Sequence, residues 1–222
     1  MTIEFTTLLL DTTLLLDTPL LLDTTSLAPT TIAAICAAGL LAGAALWSLT
    51  EYVLHRFVGH RRHGRSMMTR EHLAHHANPD YFTPWQRKLV LAAPSAAVIS
   101  LVLWPLVGVV GGAIVAGFVA TWLAYEVLHR RIHTHAPLNR FGAWARRHHL
   151  AHHFTDPARN HGVIAPLWDH VFATFTRSDV VRIPRRRLPR WMVVADGAVD
   201  GRYAASYQVA GRPSPQPSPA AA

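Results

Sequence analysis

The sequence predicts an all-α protein, an integral membrane helical bundle with about three transmembrane helices and a cytoplasmic, histidine-rich helical cap. Three observations point there. Half of the 222 residues are apolar and only 15% are charged, against roughly 25% charged in soluble proteins. All 21 Lys and Arg fall in two windows, 56–88 and 130–212. Ten of the 15 histidines gather in four short boxes within or at the edges of those windows.

Taken in order, residues 8–24 repeat Leu-Leu-Leu-Asp-Thr three times with a period of six. Each copy is interrupted by Asp and cannot cross a bilayer, and no basic stretch precedes the repeat as in a cleaved signal peptide. Residues 1–31 therefore read as a weakly ordered leader. Residues 32–54 contain one charge, Glu51, and match the roughly 20 residues that cross a hydrocarbon core. Residues 89–128 contain one charge, Glu126, with Pro105, Gly108, Gly111 and Gly112 near the middle. One straight helix of that length would run about 60 Å, twice the core, so the segment predicts two helices folded back at the Pro/Gly punctuation. Both basic windows then share one side, which the positive-inside tendency makes cytoplasmic, with the amino terminus external. Residues 32–176 form the membrane domain. Residues 177–222 read as a basic, Pro-rich tail, partly disordered, with Arg185, Arg186 and Arg187 in a row and a Pro-Ser run from Pro213 to Pro219.

The net charge of +8 alternates with apolar stretches, which argues for loops beside a bilayer rather than a nucleic-acid surface. The basic surface suits anionic headgroups or an acidic electron-donor protein. Cys36 is the only cysteine, which excludes an intrachain disulfide and a multi-cysteine zinc site. Chemistry must come from other side chains.

The four boxes are His55 with His60; His72, His75 and His76; His129 with His133; and His149, His152 and His153. Helical positions i, i+3 and i+4 share a face, so each triplet is expected to present three imidazoles to one point. His129 and His133 present two. His55 and His60, five apart, converge only if the helix ends or bends between them, which Gly59 permits. Neutral imidazole binds iron, zinc, copper and nickel, and ten such ligands divide into two ions with about five each. The halves also echo one another: Val-Leu-His-Arg at 53–56 recurs at 127–130, and His-Leu-Ala-His-His at 72–76 recurs at 149–153. Duplication and convergence on one ligand geometry both account for the echo. Glu51 and Glu126, one turn before His55 and His129, are candidates to orient the imidazoles from behind, and Asp156 and Asp169 are further candidates. His63, His135, His148 and His170 read as non-ligands.

At these boxes the sequence resembles the fatty acid hydroxylase/sterol desaturase superfamily of membrane histidine-box enzymes. The strings are 55–60, 72–76, 129–133 and 148–153, with Gly-Val-Ile-Ala-Pro-Leu-Trp-Asp at 162–169 resembling fatty acid 2-hydroxylases in particular. The resemblance implies that the ten boxed histidines ligate two iron ions, with zinc able to replace iron in isolated protein, and that dioxygen is the co-substrate. It implies O2-dependent hydroxylation of a lipid acyl chain, with electrons from a separate ferredoxin or haem protein and its reductase, since no glycine-rich dinucleotide motif follows a strand. His161 and Trp168 are expected near the substrate, although His161 stands where that family usually carries an aromatic residue. Desaturation, or sterol or carotenoid oxidation, at the same centre is the alternative. A membrane protein that binds metal without catalysis is a third reading, weakened because the histidines lie outside the apolar core.

Overall fold

A computed structural model describes residues 27–60 and 65–211. The Leu-Leu-Leu-Asp-Thr repeat, His63 and the Pro-Ser run lie outside the described residues. The framework is helical. Helix α1, Pro29–Val53, starts with Pro at its first turn, where the missing N–H costs nothing. It continues directly into a π-helical turn, Leu54–Gly59. Helix α2 is Met67–Ala77, capped by Ser66, whose hydroxyl accepts from the Thr69 N–H at 3.0 Å. Helix α3, Trp85–Thr134, is broken at Gly108, where φ 49° and ψ −125° leave the helical region. Helix α4 is Arg140–Phe154, capped by Asn139, and α5 is the short Leu167–Val171.

The break at Gly108 reverses the chain. Lys88 pairs with Glu126, and Trp85 lies 6.1 Å from Trp122. On a continuous helix residues 38 apart would be separated by about 57 Å. The fold-back expected from the Pro/Gly punctuation is therefore present. Among the described residues two stretches, Pro29–Gly59 and Gly108–Thr134, are long and apolar enough to cross a membrane, where three were expected; the arm of α3 before Gly108 is not one of the two.

Helices α1 and α3 pack through small residues and turn large ones outward. A Cβ on Gly43 would overlap the Ile114 carbonyl, and one on Gly117 the Leu40 carbonyl. Leu41, Val90 and Leu101 are 72%, 66% and 74% exposed. Buried glycine and exposed leucine invert the soluble-protein pattern and match helices that meet each other by close contact while lipid covers the rest.

The apolar core of the cap lies at the far end of α3. Ile132, Leu150, Val163, Val181, Ile183, Met192 and Tyr207 are buried together. Within 177–222, expected as a basic, partly disordered tail without an apolar pattern, β1 (Val181–Pro184) and β2 (Tyr207–Ala210) pair in parallel and pack on α4. Alternation carries it: Val181 and Ile183 point inward while Arg182 points out. The all-α expectation thus needs this small two-stranded addition. Arg146, buried on α4, donates to the carbonyls of Arg131, His135, Ala136 and Gly142 at 2.8 to 3.2 Å. It satisfies the end of α3 and fixes α4 against it.

Candidate metal centre

The ten boxed histidines come together in two groups of five, within each of which ligand-capable atoms lie within 4.8 Å of one another. One group is His55, His60, His72, His76 and His152; the other is His75, His129, His133, His149 and His153. They abut where the rings of His76 and His153 stack at 4.0 Å.

The composition differs from the expectation that each triplet serves one point. In both triplets the outer histidines turn to one group and the central one to the other, so His75 and His152 exchange. Helix geometry requires the split. At about 100° per residue, i and i+4 differ by about 40°, whereas i+3 lies about 60° on the other side of i, about 100° from i+4. Between His55 and His60 the helix ends, as expected, at Gly59, but it does so through a π-turn. The π-turn widens the helix to i→i+5 spacing and brings the five-apart rings to 5.4 Å. Gly59 serves by its smallness, since a Cβ there would lie 2.9 Å from the His72 ring.

Donor chemistry tests whether these groups suit a metal ion. His55 Nδ1 donates to the His161 carbonyl at 2.5 Å, and His152 Nδ1 donates to the Arg159 carbonyl at 2.7 Å. A carbonyl only accepts, so both Nδ1 atoms carry the proton, and in the neutral rings both Nε2 atoms present lone pairs. Those two Nε2 atoms face one another at 2.9 Å. His152 Nε2 also lies 3.1 Å from those of His60 and His76. Two nitrogens bound at right angles to one ion with bonds of about 2.1 Å stand about 3.0 Å apart. Lone pairs held face to face at that spacing fit a shared cation. The second group shows the same spacing between His133 and His149 Nε2, 3.1 Å, and the buried His75 Nε2 has no partner among the described residues.

Burial keeps the rings neutral, the form that ligates. It holds His60 and His75 down at about 4 and His76 at about 3, and it pushes His72, His149, His152 and His153 well below the ordinary histidine value.

An apolar cavity of about 390 Å³ runs between α1 and α3 and reaches both groups. His55 and His72 of the first and His75 and His129 of the second line its inner end, and Ala92, Ala93, Ala96, Phe118 and Val119 line its length. Its acidic residues are engaged: Glu51 accepts from the Val163 N–H, Glu71 from Tyr81 and Arg87, and Glu126 from Lys88 and Trp122.

The expected supporting residues divide. Asp169 is fully buried and accepts from the N–H groups of His161 and Gly162 at 2.8 Å and from the Thr174 hydroxyl at 2.7 Å. Burial alone would raise its carboxyl, but His148, His161, Thr174 and Gly162 together draw it well below the usual range. It touches His148 and His161 rather than a boxed ring. Glu51 reaches the chain beside His161 and no boxed imidazole. Glu126 turns to Lys88 instead of His129, because the hairpin places an ammonium there. Asp156 sits half-exposed in the turn after α4, paired with Arg159. His161 and Trp168 do not line the cavity: the ring of His161 lies behind the first group, 5.4 Å from those of His55 and His152, and Trp168 is beside Phe172. The groups that do orient boxed rings are the main-chain carbonyls of Tyr81, Arg159 and His161, which no residue type announces.

Fold and site define a helical protein with two lipid-facing candidate spans and two five-histidine clusters that open onto an apolar cavity. The family model for fatty acid hydroxylase matches residues 40–174, more than half of the chain, and the chain belongs to that family. It is 28% identical over 60% of its length to a dihydroceramide fatty acyl 2-hydroxylase of Arabidopsis thaliana, covering 58% of that protein. It is 31% identical over 60% of its length to a ceramide very long chain fatty acid hydroxylase of Schizosaccharomyces pombe, covering 41% of that protein. A solved structure of full-length scs7p, in which only the hydroxylase domain is visible, matches 71% of this chain and 61% of that one at 25% identity, with a TM-score of 0.57. The chain thus spans less than two thirds of the length of each of these.

Proposed function

We propose that this protein hydroxylates the acyl chain of a membrane lipid with dioxygen, at two iron ions held by the ten boxed histidines. The observation that carries the reading is an apolar cavity lined by histidines of both clusters. An acyl chain is the ligand that fits an apolar slot between lipid-facing helices, and its end would lie against His55, His72, His75 and His129. A bound iron pair would supply activation of dioxygen and removal of hydrogen from an unactivated C–H bond, chemistry for which no side chain suffices. The protein's own part is placement and dryness. Trp47, Phe118 and Trp122 line the slot with apolar rings, and the engaged Glu51, Glu71 and Glu126 leave no free carboxylate to disfavour a hydrocarbon.

In this reading α1 and the two arms of α3 cross the membrane, the clusters face the cytoplasm, and the amino terminus is external. A separate ferredoxin or haem protein delivers the electrons. The names of the relatives, a dihydroceramide fatty acyl 2-hydroxylase and a ceramide very long chain fatty acid hydroxylase, favour hydroxylation over desaturation.

The test is expression with iron supplementation in a host poor in hydroxylated lipids, with an electron donor verified. Lipid mass spectrometry then compares the chain with a His152→Ala, His153→Ala variant. A hydroxylated acyl product that depends on both histidines is expected, and fragmentation locates the hydroxyl. New double bonds with no hydroxyl would replace hydroxylation by desaturation; identical lipids in both samples would refute acyl oxidation.

A further inference from the structure

The two clusters contain equal numbers of imidazoles and unequal support. In the His55 cluster, two rings are anchored through Nδ1 on one short loop, His152 on the carbonyl of Arg159 and His55 on that of His161. The loop is itself fixed from several sides. Asp169 accepts from two consecutive N–H groups, those of His161 and Gly162. Glu51 accepts from the next, Val163. Asn160, in the left-handed region at φ 57°, clamps Thr176 with its side-chain amide, accepting from its N–H at 2.7 Å and donating to its carbonyl at 2.9 Å. Tyr52 of α1 meets the Thr174 hydroxyl at 2.9 Å, and that hydroxyl donates to Asp169.

The other cluster has one such anchor, His75 on the Tyr81 carbonyl at 2.8 Å. The Nδ1 atoms of His133, His149 and His153 are buried without a partner among the described residues. An imidazole whose far nitrogen is unpaired has neither a fixed tautomer nor a fixed ring angle, and losing such an outer partner typically lowers metal affinity 10- to 100-fold.

We propose that the loop 159–163 makes the clusters unequal, so that the His55 cluster takes up its ion first and holds it at least ten times more tightly. Asp169 is the positioning residue, acting through the loop on His55 and His152. This deepens the metal-centre reading and rests on it. In Asp169→Asn one carboxylate oxygen becomes an NH2 group facing a main-chain N–H, so the loop loses an acceptor whichever way the amide turns.

The experiment uses the full chain in detergent, stripped by chelator and titrated with Co²⁺, read by the cobalt absorption bands and by calorimetry. Two binding steps at least tenfold apart are expected. His55→Ala should remove the tight step and His133→Ala the weak one. Asp169→Asn should weaken the tight step tenfold or more while leaving the weak step in place. Two ions bound with equal affinity, or His133→Ala removing the tight step, would overturn the inference. If Asp169→Asn loses its helical circular dichroism, the two histidine variants decide alone. No cobalt bound by the wild-type chain would overturn the metal-centre reading as well, whereas equal affinities overturn only the inequality.

Discussion

The exchange of the central histidines gives a result that differs from what box membership suggests. His152 belongs by sequence to the triplet 149–153, yet its Nε2 lies 2.9 Å from that of His55 and 3.1 Å from those of His60 and His76. His152→Ala should therefore weaken the ion held by the first-half histidines and spare the one held by its own neighbours, His149 and His153. Losing an outer partner alone costs up to about 100-fold in affinity, or about 2.8 kcal/mol at about 1.4 kcal/mol per decade; deleting the ligand nearest to three others should cost at least that. The assay is metal content of purified variants by mass spectrometry, arranged as a double-mutant cycle. His152→Ala and His55→Ala should each leave about one ion per chain, and the double variant should also leave about one. His152→Ala with His149→Ala should leave none. If His152→Ala with His55→Ala removed both ions while the pairing with His149→Ala left one, the crossed assignment would be wrong.

Three further outcomes follow from the packing and the charges. Ala96→Phe narrows the cavity beside Phe118 and should lower hydroxylation of long acyl chains at least tenfold while metal content stays unchanged; unaltered product would place the substrate elsewhere. Arg146→Met removes four hydrogen bonds and leaves the His135 and Ala136 carbonyls without their donor, which should cost about 3 kcal/mol, seen as a lowered thermal midpoint. In the metal-free protein His75 and His76 bind protons only near pH 4 and 3 when folded but near 6.5 when unfolded. The unfolded state then holds more protons, so stability should be full above pH 6.5 and fall as the pH drops from there toward 4; a flat thermal midpoint over that window in chelator-treated protein would contradict neutral, buried rings.

How much of this was legible in the sequence depends on what carries each feature. Side-chain identity carried the histidine boxes, and the apolar runs with their Pro/Gly interruption carried the helices and the fold-back at Gly108. The division of the boxes between clusters lay one step deeper. It follows from the 100° step of the helix, which separates i+3 from i+4, and a shared-face argument blurs that difference. The π-turn at Leu54–Gly59 was hidden because its five-residue spacing looks like a misfit to an α-helix. The orienting groups were invisible for a different reason: His55, His75 and His152 lean on main-chain carbonyls, which every residue possesses, so searching for carboxylates found Glu126 and Asp156 instead. Asp169 was visible as a candidate, but its partners, the N–H groups of His161 and Gly162, were not. The two strands within the tail were hidden because its arginines and prolines mask a short alternation, in which only Val181 and Ile183 with Met192 and Tyr207 need face inward.

The echo between the halves takes on physical meaning once the clusters are drawn. Each half supplies one pair and one triplet, but because the central histidine crosses over, neither half completes five ligands by itself: each cluster takes four from one half and one from the other. An ion in either site would join α2 to α4, elements that approach mainly through these rings, and His76 stacking on His153 joins the clusters directly. Metal would then act as part of the cap's packing, bridging the two halves. The buried, face-to-face imidazoles of the metal-free chain are the corresponding cost, since lone pairs at 2.9 Å gain nothing from one another without a cation between them. The cavity is lined by histidines of both clusters, His55 and His72 from one and His75 and His129 from the other. A chain lying in the slot meets both sites at once, which is the arrangement a reaction shared between two ions requires.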